Sequence, residues 1–285
     1  MIEILPSGCG IGAEVRGLDL GQGLDDASFV EICDAWHEHL VLLFRGQTLD
    51  DRALVDLARH FGALEQSPRS EVSDEVGAYA PSMPEVTIIS NIEVNGQPIG
   101  SLGAGEADWH ADMTFTERPP SACLLYALEL PPSGGNTMFA SMYRAYETLA
   151  PDLRQRIEGR RAIHDYSMTS AGDLRKGIEA VTDVRETPGA RHPLVVTHPE
   201  TGRRALLLGR RRNSYILGLP VPESEALLDE LWAHACTQAQ AFELVWQLGD
   251  LVIWDNRCVM HRRDPFDGKR RRLLHRTQVV GEIPA

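Results

Sequence analysis

Between Val86 and Val280 the chain is a succession of short apolar or alternating runs, divided by turn residues and by helical insertions, and this punctuation limits the fold more than any other feature of the sequence. The runs are Val86 to Ser90, Ala122 to Glu129, Thr137 to Ala140, Leu194 to Thr197, Arg204 to Leu208, Phe242 to Trp246, Asp250 to Trp254 and Leu273 to Val280. Such lengths suit strands, in which successive side chains point to opposite faces. Eight strands of this kind predict a mainly β fold with α decorations, built on a double-stranded β-helix or jelly-roll core. Helices are predicted at Tyr143 to Leu149, Pro151 to Glu158 and Pro222 to Cys236, the last with Leu227, Leu228, Leu231 and Trp232 along one side.

The first 65 residues read as an α/β cap. Asp25-Asp26 opens an amphipathic helix through Phe29, Ile32, Cys33 and Trp36, a short apolar strand ends at Phe44, and a second helix runs from Asp50 to about Phe61, before Gly62. No repeat, low-complexity tract or linker-like charge block divides the 285 residues, so a single domain is expected over 1–285. Residues 91–108 and 167–191 are rich in Gly, Ser, Asp and Glu and lack sustained periodicity, which marks them as lid loops.

Composition excludes several classes of function. A net charge of -13 disfavours nucleic acid, whose phosphates require a basic surface. Arg210-Arg211-Arg212 is a local exception, read as a solvated turn or as a rim that attracts anions. No apolar run reaches the roughly 18 residues of a membrane span. The N-terminus lacks the features of an export signal, so a cytoplasmic protein is expected. Five scattered cysteines form no disulfide or zinc framework and read as reduced.

The chemistry is concentrated in His110-Ala111-Asp112, answered about 150 residues later by His261 and then by Arg272. On an extended backbone His110 and Asp112 project to one face, and His261 arrives from a distant strand. Two imidazoles and one carboxylate on one side of a metal leave the other side open, as in non-haem Fe(II) oxygenases. In the C-terminal run Arg272, Leu274 and Arg276 share a face, and Leu273, His275 and Thr277 share the other. An inward Arg272 keeps its charge and presents a planar fork that calls for a carboxylate, such as that of a dicarboxylate co-substrate. A Zn(II)-type hydrolase with the same ligands, or a non-catalytic jelly-roll binding protein, are the alternatives. The hydrolase would leave Arg272 and Thr137 without a task, and the joint presence of His110, Asp112, His261 and Arg272 argues against the binding protein.

These residues sit in a wider pattern. Gly12 to Leu20, Val41 to Arg45, Phe61-Gly62, Trp109 to Phe115, Gly134-Gly135-Asn136-Thr137 and Gly249 to Thr277, taken in order, resemble the taurine dioxygenase (TauD/TfdA) family of Fe(II)- and 2-oxoglutarate-dependent dioxygenases across nearly the whole chain. The resemblance implies that His110, Asp112 and His261 bind Fe(II). Arg272 and Thr137 would hold the distal carboxylate of 2-oxoglutarate, and Arg276 the substrate anion. Trp109 and Phe115 would line the pocket. It further implies O2 as co-substrate, release of succinate and CO2, hydroxylation of an aliphatic C–H bond in a small anionic or zwitterionic molecule, and a homodimer or homotetramer.

Two departures bear on the substrate. Taurine-acting members place a histidine just after the Phe-Gly pair, where this chain has Ala63, Leu64, Glu65, Gln66 and Ser67. They have asparagine four residues before the first iron-binding histidine, where this chain has Glu106. A carboxylate 4 Å from a sulfonate would repel it by about 4 kcal/mol at an effective dielectric of 20, which argues against taurine. Glu106 facing Arg276 would instead suit a zwitterion.

Overall fold

A computed structural model of the chain describes residues 1–67, 79, 81–105, 107–237 and 241–285. Two sheets carry the architecture. The larger has eight strands in the order Glu3–Pro6, Ala13–Arg16, Val41–Phe44, Leu251–Asp255, Ala122–Glu129, Leu273–Gln278, Thr87–Ser90, Ser101–Leu102. The smaller has four, Phe242–Leu244, Thr137–Ser141, Val259–Arg263 and Ala107–His110. Most neighbours are antiparallel; parallel pairing joins Ala13–Arg16 to Val41–Phe44 and Thr87–Ser90 to Ser101–Leu102. This is the expected jelly roll.

Alternation decides which side chains meet. In the larger sheet Leu43, Leu125, Val252, Trp254 and Leu274 face the smaller sheet and join Phe139, Ala140 and Met260 in one apolar core. Leu42, Phe44, Leu124, Tyr126, Leu251 and Ile253 face the opposite way into a second core. A strand buried on both faces has no polar side, which explains the unbroken apolar runs Val41–Phe44 and Leu251–Trp254.

The second core is closed by two N-terminal helices, Asp26–His39 and Asp51–Arg59. Asp25 and Asp50 cap them by accepting from the backbone N–H of Ser28 and Ala53. Ile32, Ala35 and Trp36 of the first helix and Leu54, Leu57 and Ala58 of the second face the sheet. The first 65 residues are thus built into the larger sheet: they supply three of its strands at one edge and cover its outer face.

Other expectations shift in detail. Val195–Thr197 and Arg204–Leu206 pair only with each other, outside the jelly roll. The strand that completes the smaller sheet is Val259–Arg263, whose sequence, VMHRR, lacks the alternation of a half-buried strand. Residues 91–105 hold short strands, including the hairpin of Glu93–Val94 with Gln97–Pro98. Segment 167–191 is mainly irregular, with one bridge between Met168 and Leu174 and a single turn of 3-10 helix at Val184–Glu186.

Candidate metal centre

His110 ends the strand Ala107–His110 and pairs in register with His261 of Val259–Arg263, their ring centroids 4.3 Å apart. The extended backbone expected through Asp112 does not occur. The strand stops at His110, and residues 112–115 form a turn in which Met113 takes a φ of 51°. Asn256 fixes that turn as a strand partner would: its Oδ1 accepts from the Asp112 N–H at 2.7 Å, and its Nδ2 donates to the carbonyls of Asp112 and Pro120, both at 2.9 Å. His110, Asp112 and His261 thereby bring one ligand atom each within 4.8 Å of one another.

The hydrogen bonds prepare these groups for a metal. His110 Nδ1 lies 2.7 Å from the Asp108 carbonyl, which can only accept, so Nδ1 carries the proton and the Nε2 lone pair is free. Burial, aided by the neighbouring His110, pushes His261 down to about 3, keeping it in the neutral form that a metal requires. Its ring lies against Trp254 and Phe139, at 4.9 and 6.1 Å between centroids. Burial alone would raise the Asp112 carboxyl, but the Arg276 guanidinium beside it opposes this, and the group is held well below the usual carboxylate range.

Asp112 Oδ2 accepts from Arg276 at 3.0 Å and from Gln278 Nε2 at 3.1 Å, with the Cys123 thiol at 3.5 Å. Oδ1 lies 3.4 Å from His110 Nε2. One oxygen is therefore occupied by protein donors and the other faces the imidazoles. The family resemblance implied that Arg276 holds a substrate anion; here its guanidinium is paired with the carboxylate of the candidate metal ligand.

A second group forms at the other end of Thr137–Ser141. Arg272 is 1% exposed and donates weakly to the Gly135 carbonyl at 3.4 Å, while its Nε has no partner among the described residues. Its guanidinium lies 5.9 Å from the rings of both Trp246 and Phe266. Among the described residues no carboxylate is within ion-pair distance of it. Burial and the nearby charge of Arg263 push it down to about 9. Gly135, at φ +69°, makes room for it, since a Cβ there would stand 3.2 Å from Arg272 Nε. Trp246 Nε1 donates to Thr137 Oγ1 at 3.0 Å, so the Thr137 hydroxyl hydrogen is left to donate to something else.

A cavity of about 280 Å³ opens beside Asp112, walled by Met113, Phe115, Thr169, Arg175, Arg210 and Arg276 together with Glu65, Gln66 and Ser67. Phe115 is placed as expected. Trp109 is not: next to His110 on a strand, it points away and lines a neighbouring cleft with Met168, Arg212 and Trp232. Glu106 lies outside the described residues. Sequence reasoning missed Asn256, Gln278, Trp246 and Arg175. Gln278 could have been found by carrying the Arg272–Arg276 alternation one step further, whereas Asn256 has no local signal.

His198, Asp255 and Cys258 also lie close together and fully buried. Their capacity is already spent. His198 Nε2 meets Asp255 Oδ2 at 2.9 Å, its Nδ1 accepts from the N–H groups of Glu200 and Thr201, and Arg257 makes a two-pronged contact with Asp255. Burial, followed by the Asp255 charge, pushes the Cys258 thiol up, leaving it protonated.

Comparison with known proteins agrees with this geometry. The sequence profile described as "Taurine catabolism dioxygenase TauD, TfdA family" matches residues 3–278. The chain is 37% identical to pentalenolactone F synthase of Streptomyces avermitilis, over 98% of this chain and 94% of that protein. It is 33% identical to the (S)-phenoxypropionate/alpha-ketoglutarate-dioxygenase of Delftia acidovorans, over 98% and 95%. Among solved structures it is similar to AAD-2 in complex with Mn(II) and N-oxalylglycine, with a TM-score of 0.81 and 29% identity over 100% of this chain and 99% of that one. The chain belongs to the TauD/TfdA family and is an oxidoreductase, a 2-oxoglutarate-dependent dioxygenase.

Proposed function

We propose that His110, Asp112 and His261 hold Fe(II), that Arg272 and Thr137 hold the distal carboxylate of 2-oxoglutarate, and that the enzyme hydroxylates an aliphatic C–H bond of a small anionic or zwitterionic substrate, releasing succinate and CO2. The observation that carries this reading is Arg272, a buried cation with no carboxylate partner among the described residues, beside a hydroxyl whose proton is unspent. An isolated buried charge is costly, and a ligand carboxylate removes that cost through a charge-assisted fork.

The placement supports a bridging co-substrate. Thr137 and Phe139 share a strand face, and Phe139 is the register partner of His261. Two residues along a strand span roughly 7 Å, within reach of a short dicarboxylate with one end at Arg272 and the other at the metal. Bound iron would supply activation of O2 and coupling to 2-oxoglutarate decarboxylation. The residues of this chain do the rest. His261 remains neutral, Asp112 remains ionised, and Arg276 with Gln278 fixes the orientation of its carboxylate. Glu65, Gln66 and Ser67, where taurine-acting members have a histidine, line the cavity, so this reading assigns a substrate other than taurine.

The test is anaerobic addition of Fe(II) and 2-oxoglutarate to the metal-free protein, read by the visible metal-to-ligand charge-transfer band. The band should form in the natural protein and weaken in Arg272→Ala. Folded, iron-loaded protein that gives no band would show that 2-oxoglutarate does not chelate the metal, and the reading would fall.

A further inference from the structure

Three arginines, Arg175, Arg210 and Arg276, reach the cavity beside Asp112, and they are not equivalent. Arg276 is committed to Asp112 at 3.0 Å. Arg175 and Arg210 stack on the same ring, their guanidinium carbons 4.7 and 5.5 Å from the centroid of Phe115, and Arg175 also lies 4.9 Å from that of Tyr166. Phe115 and Tyr166 meet edge to face at 5.1 Å, so the platform is itself braced. The Nε of each arginine is buried with no partner among the described residues, and the hydrogen bond of the Arg210 head group goes to the Met168 carbonyl at 3.1 Å.

Two of the nearby acids, Asp165 and Glu85, are otherwise engaged, while Glu65 also stands on the cavity wall. Among the described residues no carboxylate is within ion-pair distance of Arg175 or Arg210. Asp165 accepts from the Ser167 N–H and hydroxyl and from Asn213, and Glu85 on the cavity wall pairs with Arg59 at 2.9 Å. Arg211, next in sequence to Arg210, is neutralised by Glu225 and Asp229, both at 2.7 Å. Two half-buried cations packed against one aromatic ring repel each other, as the effect of Arg175 on Arg210 shows, and like charges of this kind are relieved by an anion that both can reach. Phe115 and Met113 beside them offer the apolar contact that an organic body needs.

We propose that Arg175 and Arg210 form the site for the substrate's anionic group, a carboxylate or a sulfate or sulfonate carried on an apolar body, and that Arg276 acts as a positioning residue for Asp112. This deepens the oxygenase reading and rests on it. It orients the substrate with its anion toward segment 167–191 and its apolar body toward the metal ligands.

The experiment is titration calorimetry of anaerobic enzyme loaded with Fe(II) and 2-oxoglutarate. The probes are (S)-2-phenoxypropionate, phenyl sulfate and the neutral 2-phenoxypropan-1-ol. At least one anion should bind ten or more times tighter than the alcohol, and the better of the two identifies the oxyanion. Arg175→Met and Arg210→Met should each weaken that anion about tenfold, and the double variant should bring it to the level of the alcohol. Retention of the 2-oxoglutarate charge-transfer band in each variant shows that it is folded and loaded. Anions that bind no better than the alcohol, an advantage that survives the double variant, or a loss confined to Arg276→Met would each overturn the assignment. Absence of the band alongside an arginine-dependent anion preference would instead sink the oxygenase reading and leave the anion site standing.

Discussion

Arg272→Met should move stability and co-substrate affinity in opposite directions. The guanidinium is 1% exposed, has an Nε without a partner among the described residues, and is pushed from its ordinary value down to about 9 by burial and by Arg263. A displacement of that size corresponds to on the order of 4 to 5 kcal/mol of unfavourable electrostatics in the ligand-free site, at about 1.4 kcal/mol per unit. Methionine has a similar reach and no charge to desolvate, and replacing buried charge by apolar bulk is commonly neutral or stabilising by about 1 to 4 kcal/mol. Ligand-free Arg272→Met should therefore melt no lower than the natural protein and up to several degrees higher, at roughly 2 °C per kcal/mol for a chain of this size.

Binding should respond the other way. Removing one partner of a buried charge pair costs about 3 to 5 kcal/mol, which is roughly a hundredfold to a few thousandfold in Kd. Differential scanning fluorimetry with Mn(II), across a 2-oxoglutarate titration, reads both quantities. The natural protein should gain about 2.7 kcal/mol at a hundred times Kd, and the variant almost nothing at that concentration. A ligand-free variant that melts several degrees lower, or one that binds 2-oxoglutarate within tenfold of the natural protein, would refute the claim that Arg272 is an unpaired cation awaiting a carboxylate.

Asn256→Ala removes three buried hydrogen bonds from the turn bearing Asp112 and should cost about 2 to 4 kcal/mol of stability together with a measurable loss in Mn(II) affinity; unchanged metal affinity in a chelator competition would deny Asn256 its positioning role. Gln278→Leu removes one donor from Asp112 Oδ2 and should weaken Mn(II) roughly tenfold with little change in fold, read by calorimetry and circular dichroism. His164 is fully buried, has no partner at either ring nitrogen among the described residues and is pushed down from 6.5 to about 3, first by burial and then by His192. Between those values the unfolded chain binds a proton that the native one refuses, so stability falls as pH drops below 6.5, by about 2 kcal/mol at pH 5. His164→Leu should flatten urea-derived stability between pH 7 and 5 by about that amount, and an unaltered slope would contradict the burial of a neutral imidazole.

What could be read from the sequence follows from the range of the interaction involved. Period-two alternation is local, so the run after Arg272 could be assigned its inward and outward faces: Leu274 joins the inner core, Arg276 meets Asp112, and His275 turns outward to Asp51 at 2.6 Å. The spacing of His110 and Asp112 predicted their convergence on a premise the structure replaces, because that convergence is reached by a turn held by Asn256, 144 residues away. The charge state of the cavity was beyond local reasoning. Arg276 is neutralised by a residue 164 positions distant, and Arg210 is set apart from Arg211 only by where the helix Val221–Ala235 brings Glu225 and Asp229. Likewise, nothing local tells a strand that it belongs to the edge of a larger sheet, as the N-terminal strands do.

The two halves of the site also differ in how firmly they are held. Arg276 and Gln278 belong to a strand hydrogen-bonded on both sides, to Ala122–Glu129 and to Thr87–Ser90, and clamped from behind by the His275–Asp51 pair. Groups that orient a metal ligand gain from such rigidity, because small displacements of a ligand carry a large cost in affinity. Arg175 and Arg210 sit outside every sheet, on irregular backbone tied by single contacts such as Arg175 N–H to Ser167 and Arg210 to Met168. Segments of that kind can change without disturbing the strands that carry the chemistry. The proposed anion site on the loops and the proposed metal site beside the sheets would therefore let substrate choice vary while the oxidising centre stays fixed. Replacing residues 167–176 by a sequence without Arg175 should alter which organic anion is bound while leaving Mn(II) affinity unchanged; a parallel loss of metal affinity would show that the two halves are mechanically coupled.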